Sequence, residues 1–102
     1  MTVRVGRTVS MIDASIELNA DLAERVVSKP NEYVWKASPM PGVERMKLDR
    51  IGDEIACDTS LVRYAANSSV SPHEHAGGEE IFVLEGALDD EYDSYLAGSW
   101  LR

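Results

Sequence analysis

The scarcest residues of this chain set its first limits. Among 102 residues there is one cysteine, Cys57, so no internal disulfide can form and no Cys-x-x-Cys pair exists for a structural zinc site. A reducing, cytoplasmic setting is the expectation. Basic residues are also short, ten against eighteen acidic, and the formal net charge of −8 opposes attraction to phosphate backbones and anionic lipid, both of which need clustered Lys and Arg. Neither nucleic acid nor a membrane surface is expected as a partner. Long apolar runs are missing too: none approaches the roughly 20 residues that cross a bilayer, and the opening Met1-Thr2-Val3-Arg4-Val5-Gly6-Arg7-Thr8 lacks the apolar stretch of a signal peptide. Histidine occurs twice, and both copies fall within three residues of each other.

What is present suffices for one core. With 44% hydrophobic residues, a chain of this length supports a single domain. Residues 1–24 read as an N-terminal arm or short helix, with Ser15 to Glu24 compatible with either, and residues 25–102 read as the domain. Arg25 to Ser28 and Glu32 to Trp35 look like short strands separated by Lys29-Pro30-Asn31, where proline removes a ladder donor and asparagine favours a turn. Ser38-Pro39-Met40-Pro41-Gly42 is the clearest breaker cluster. After it, Val43 to Arg50 alternates apolar and charged residues with period two, the pattern of a strand with one wet face. Gly52-Asp53 turns the chain, and two further strands are expected at Ile55 to Ala65 and Glu80 to Glu85, rich in Ile, Val, Leu, Phe and Tyr. If Glu79 faces inward, Ile81, Val83 and Glu85 share its side while Phe82 and Leu84 face the other way, so apolar residues lie on both sides. One side then lines an interior and the other is covered by a second sheet, an N-terminal arm or a partner. Short strands, Gly and Pro turns and the lack of a 3.6-residue period argue for an all-β sandwich or barrel.

The chemistry concentrates in His73-Glu74-His75-Ala76-Gly77-Gly78-Glu79. Residues i and i+2 of an extended strand project to one side, so His73 and His75 can present their rings together, with Glu74 turned away. A turn at Ala76-Gly77-Gly78 then returns Glu79 to the same place, glycine permitting positive φ and close backbone approach. Two imidazoles and a carboxylate suit Zn, Fe, Mn, Ni or Cu, and the same trio forms the triad of non-haem Fe(II) oxygenases. The spacing alone does not choose the metal.

These residues resemble the cupin superfamily, whose first motif runs Gly, five residues, His-x-His, three or four residues, Glu, six residues, Gly. His73, His75, Glu79 and Gly86 match it at the three-residue spacing, while Asn67 stands where the opening glycine belongs; asparagine is among the residues that best tolerate positive φ. More specifically, Pro39 to Arg45, Leu48 to Gly52, Thr59 to Ala65 and His73 to Glu80 are similar to the ChrR-like cupins, over roughly residues 20–102. The resemblance implies a jelly-roll barrel (double-stranded β-helix) with a divalent metal inside. It also points to the anti-sigma factor ChrR, a zinc protein whose cupin domain takes part in the response to singlet oxygen. The sigma-binding part of that protein is a separate helical domain, and nothing in residues 1–24 resembles it. A second family motif begins with a glycine, matching Gly98, and brings a further histidine about ten residues later. The sequence ends at Arg102 before that point, so the barrel is expected to be incomplete at its C-terminus, with three protein ligands and an open position.

The resulting expectation is a metal-binding cupin domain of binding or sensing role, with His73, His75 and Glu79 as metal ligands and zinc as the first choice over iron, manganese or nickel. Two alternatives stand beside it: a metal-dependent dioxygenase acting on a small chelating substrate such as a diketone, and a degenerate barrel that serves in dimerisation. Uncovered edges point to a homodimer, and an open metal position leaves room for a small-molecule ligand. Glu80 is the alternative ligand if the loop spacing is four. Asp89-Asp90-Glu91-Tyr92-Asp93 reads as a solvated turn, Cys57 as a small core residue, and Trp35, Tyr64, Phe82 and Trp100 as packing groups.

Overall fold

The computed structural model describes residues 2–10, 17–52, 56–68 and 78–102. Its eight strands are β1 (Thr2–Ser10), β2 (Lys36–Ala37), β3 (Val43–Ile51), β4 (Ala56–Tyr64), β5 (Glu79–Glu85), β6 (Ala87–Asp89), β7 (Ser94–Leu96) and β8 (Trp100–Leu101). Six of them form one sheet in the order β2-β3-β4-β1-β5-β8, and β6 and β7 pair in a hairpin beside it. Every pairing is antiparallel. Among the described residues there is no α-helix and no pairing that closes the sheet into a barrel.

The strand expected from the period-two pattern of Val43 to Arg50 and the two expected from composition at Ile55 to Ala65 and Glu80 to Glu85 are present with nearly the expected bounds. The breaker cluster before β3 turns the chain as its residues dictate: the Val43 amide donates to the Met40 carbonyl at 3.3 Å, and Gly42 has φ 76°. Proline at the second position and a left-handed glycine at the third make this a type II turn. The segment before β2 departs from expectation. Arg25 to Ser28 and Glu32 to Trp35 are unpaired, with a single 3₁₀ turn at Pro30–Glu32, and regular pairing begins at Lys36. Pro30 serves there as the first residue of a helical turn, where its missing N–H costs nothing. Residues 17–24 contain no helix; Leu18 instead bridges Arg50 through reciprocal backbone bonds of 3.0 and 2.8 Å.

The core lies on one side of the sheet. Residues directly opposed across antiparallel strands share a face, and the register aligns Val43 with Tyr64, and Ser60 with Gly6 and then Ile81. Ala56, Ser60, Val62 and Tyr64 of β4, Val43 of β3 and Val83 of β5 are all buried on this inner face. Met40 packs against the Val43, Val62 and Tyr64 cluster. The outer face carries Leu61, buried, together with an Arg63–Glu44 ion pair of 3.0 Å. The Arg63 guanidinium lies 4.2 Å above the Trp35 ring, and Tyr33 meets Trp35 edge-on at 6.1 Å. Residues of the 19–33 segment stand over this face around a hollow of about 530 Å³ that reaches Leu48, Leu61 and Leu84.

One irregularity decides where a charge goes. A register shift in β3 between Lys47 and Asp49 inserts Leu48 as an extra residue, so that Lys47 opposes Ser60 while Arg50 opposes Asp58. Strict alternation puts Arg50 beside Met46 and Leu48. The bulge moves it to the inner face, where it is 2% exposed and bonded to Asp58 at 2.8 Å.

Candidate functional site

Glu79 is the first residue of β5, and two left-handed glycines bracket that strand: Gly78 at φ 93° just before it and Gly86 at φ 77° just after. Side chains with a Cβ rarely take these angles, so the glycines fix where the strand can begin and end. Asn67, standing for the opening glycine of the motif, has φ 61°, as its substitution for glycine predicts. Its turn is held by the Ser68 amide and hydroxyl, both donating to the Ala65 carbonyl at 3.2 and 2.7 Å.

Within β5 the inner face holds Glu79 and Ile81, both half-buried, and Val83, fully buried; Phe82 and Leu84 are 41% and 45% exposed. Glu79 is thus on the side that faces the core. Glu80 is on the other, 3.6 Å from the Arg102 guanidinium. The two adjacent carboxylates are told apart by strand geometry alone. His73 and His75 lie outside the described residues, so Glu79 is the one predicted metal ligand whose position is described. Among the described residues no group of three or more His, Cys, Asp and Glu side chains comes together as a metal site.

The row across the sheet from Glu79 is polar. Thr8 opposes Glu79 on one side and Asp58 on the other, and Asp58 opposes Arg50. Asp58 Oδ2 accepts from Arg50 Nη1, whereas its Oδ1 is buried with no hydrogen-bond partner. An unpartnered buried carboxylate oxygen is costly, and the sequence alone gave no sign of it. Next to this row, Gly6 is buried between Ser60 and Ile81, and a Cβ built on it meets only the Glu80 carbonyl at 3.9 Å. The inner face beside Glu79 therefore combines a half-buried carboxylate, a second carboxylate with a spare acceptor, and room over a glycine. Carboxylates of this kind are donors that a divalent cation accepts.

The other acidic run is a structural turn. Asp90 Oδ1 accepts from the amides of Tyr92 and Asp93 at 2.8 and 2.9 Å, and the Tyr95 hydroxyl reaches both Asp90 oxygens at about 3 Å. The Tyr92 amide in particular holds the Asp90 carboxyl below the usual carboxylate value. Tyr95 is pushed above its ordinary value, first by partial burial and then by the Asp90 charge. Cys57 is half-buried in β4. No helix among the described residues is long and apolar enough to cross a membrane.

Comparison with curated proteins and with solved structures gives no match. Comparison with family models gives one, the ChrR Cupin-like domain, over residues 23–102. That span contains β2 to β8, Arg50, Asp58 and Glu79 of the inner-face row and the whole His73 to Gly86 motif, and the chain belongs to the ChrR cupin-like domain family.

Proposed function

We propose that this chain is a metal-binding cupin domain with a binding or sensing role, in which His73, His75 and Glu79 hold one divalent ion, zinc in the first instance. The observation that carries the reading is the place of Glu79: it opens β5 on the core side, in one row with Asp58, while its neighbour Glu80 is turned away to Arg102. Membership of the cupin family adds support, because cupins commonly bind metals. The donor chemistry suits a borderline divalent ion, which would supply a Lewis-acid centre there. Glu79 contributes the anionic ligand. The Arg50–Asp58 pair fixes charge on the neighbouring strands of the same face.

The test is elemental analysis of untagged protein coupled to intact mass. About one divalent ion per chain is expected, lost in a His73→Ala/His75→Ala variant and in Glu79→Gln, and kept in Glu80→Gln. Absence of any metal, or retention in Glu79→Gln, rejects the reading. Zinc at stoichiometric level favours sensing. Iron, with O₂ consumed in the presence of a diketone, favours the dioxygenase alternative.

Self-association is a second proposal with its own observation. At the β8 edge, Trp100 is 57% exposed and lies opposite Phe82 on β5, so two exposed aromatic residues stand beside an edge that has no further strand among the described residues.

A further inference from the structure

In a chain of net charge −8, a place where cations gather without carboxylate partners is unusual. Arg50, Arg63 and Arg102 each have one, Asp58, Glu44 and Glu80 respectively. Lys36, Arg45 and Lys47 are exposed and make no ion pair with any described residue. They also share one face: Lys36 of β2 is directly opposite Arg45 of β3, and Lys47 follows Arg45 by two residues. Like charges directly opposed across a strand pair are destabilising. The fold keeps them there.

All three line one hollow of about 570 Å³ at the β2–β3 edge, a volume within the roughly 300–1,000 Å³ of small-ligand sites. Leu18, Val34 and Met46 give it apolar walls, and Glu32 is its single carboxylate, leaving the lining with a surplus of two positive charges. β4 and β1 separate this edge from β5 and Glu79, so the hollow is distinct from the proposed metal site.

We infer that the β2–β3 edge binds a small amphipathic anion, an oxyanion head group held by Lys36, Arg45 and Lys47 with a short apolar body against Leu18, Val34 and Met46. Arg45 is the central donor, because it lies between the two lysines and its planar guanidinium can hold a carboxylate or phosphate through two parallel N–H bonds. The apolar walls account for the body, since cations alone would suit a free inorganic ion equally well. The acidic remainder of the surface repels anions at long range, which restricts the site to ligands that also gain from burial.

Calorimetric titration of the full chain with octanoate, octyl phosphate and octanol tests this. Saturable binding of one or both anions at one per chain is expected, with octanol at least tenfold weaker. Arg45→Gln is expected to weaken the anion by about tenfold or more, as loss of a charge-assisted contact does, and Arg102→Gln to leave it unchanged. The anion that binds more tightly identifies the head group. Because Lys36 and Arg45 repel each other, Lys36→Gln is expected to raise the melting temperature of the free protein while weakening the anion, a combination that a misfolded variant does not produce. Failure of both anions to saturate, equal affinity for octanol, or undiminished affinity in Arg45→Gln overturns the proposal.

Discussion

Replacing Asp58 by leucine removes a counter-charge from a buried arginine. Arg50 is 2% exposed and its partner 17%, and the 2.8 Å bond between Nη1 and Oδ2 joins two neighbouring strands of the inner face. Removing one member of a buried pair typically costs about 3–5 kcal/mol, because the remaining ion has lost its water and now its counter-charge. The lower end applies here: Asp58 Oδ1 has no hydrogen-bond partner, so the wild-type pair is itself imperfectly satisfied. A loss of about 3 kcal/mol is a large share of the roughly 5–15 kcal/mol that holds a domain folded. In a domain of this size it lowers Tm by roughly 12 °C or more. The double variant Arg50→Met/Asp58→Leu removes both charges and fills the space with apolar atoms, and is expected to return to within about 1 kcal/mol of the parent or to exceed it. Urea unfolding followed by circular dichroism, with all four proteins of the cycle, measures both effects. If Asp58→Leu loses less than about 1 kcal/mol, or if the double variant is no better than the single, the pair is not buried as described and the bulge argument fails with it.

Three other expectations follow from single positions. Gly42→Ala places a Cβ 3.4 Å from the Cβ atoms of Ala65 and Ser68 at a φ of 76°, and is expected to cost about 1–2 kcal/mol in thermal unfolding, whereas Asn67→Gly at φ 61° is expected to be neutral or stabilising. In the β6–β7 hairpin, Asp90 has a lowered native value, so its contribution is present above its unfolded value and is lost as pH falls through the native one; Tyr95 has a raised value, so its contribution is present below its unfolded value and is lost as pH rises through the native one. Asp90→Asn is expected to bring the Tyr95 phenolate titration, followed by absorbance, back towards its ordinary value, and an unchanged titration contradicts the assigned contact. Trp100→Lys puts a charge on the exposed β8 edge and is expected to shift sedimentation from dimer towards monomer; a parent that is already a well-folded monomer refutes self-association.

The parts of the fold that could be read in advance are those whose physics is local. β3 announces itself by its period-two alternation, β4 and β5 by β-branched and aromatic residues between turn formers, and Met40-Pro41-Gly42-Val43 carries its own turn geometry. Asn67 was readable because a left-handed position restricts residue type so strongly that the substitution itself is informative. The two segments before β2 failed for the opposite reason. Arg25 to Ser28 and Glu32 to Trp35 have strand composition, but β-propensity expresses packing within a sheet, and these residues join no ladder among the described residues. β1 is the converse: its partners, Ser60 and Ile81 opposite Gly6, lie far along the chain, and nothing near Thr2–Ser10 signals that it runs between β4 and β5.

The candidate site divides along the same line. The His73, His75 and Glu79 spacing is a local pattern, and the choice of Glu79 over Glu80 rests on the three-residue loop of the motif; the structure puts the two side chains on opposite faces of β5. Arg50 and Asp58 were invisible because a single inserted residue, Leu48, reverses the parity of everything after it in β3. Had the strand been regular, Asp49 and not Arg50 would face the core, placing its carboxylate across β4 from the Glu79 row with no guanidinium between. Asp49 instead points outward, where its Oδ1 accepts from the Thr59 amide at 3.0 Å. The bulge thus exchanges a carboxylate for a guanidinium on the inner face and places that guanidinium 2.8 Å from the Asp58 carboxylate. One inserted residue, Leu48, therefore sets the charge balance of the inner face without itself carrying a charge.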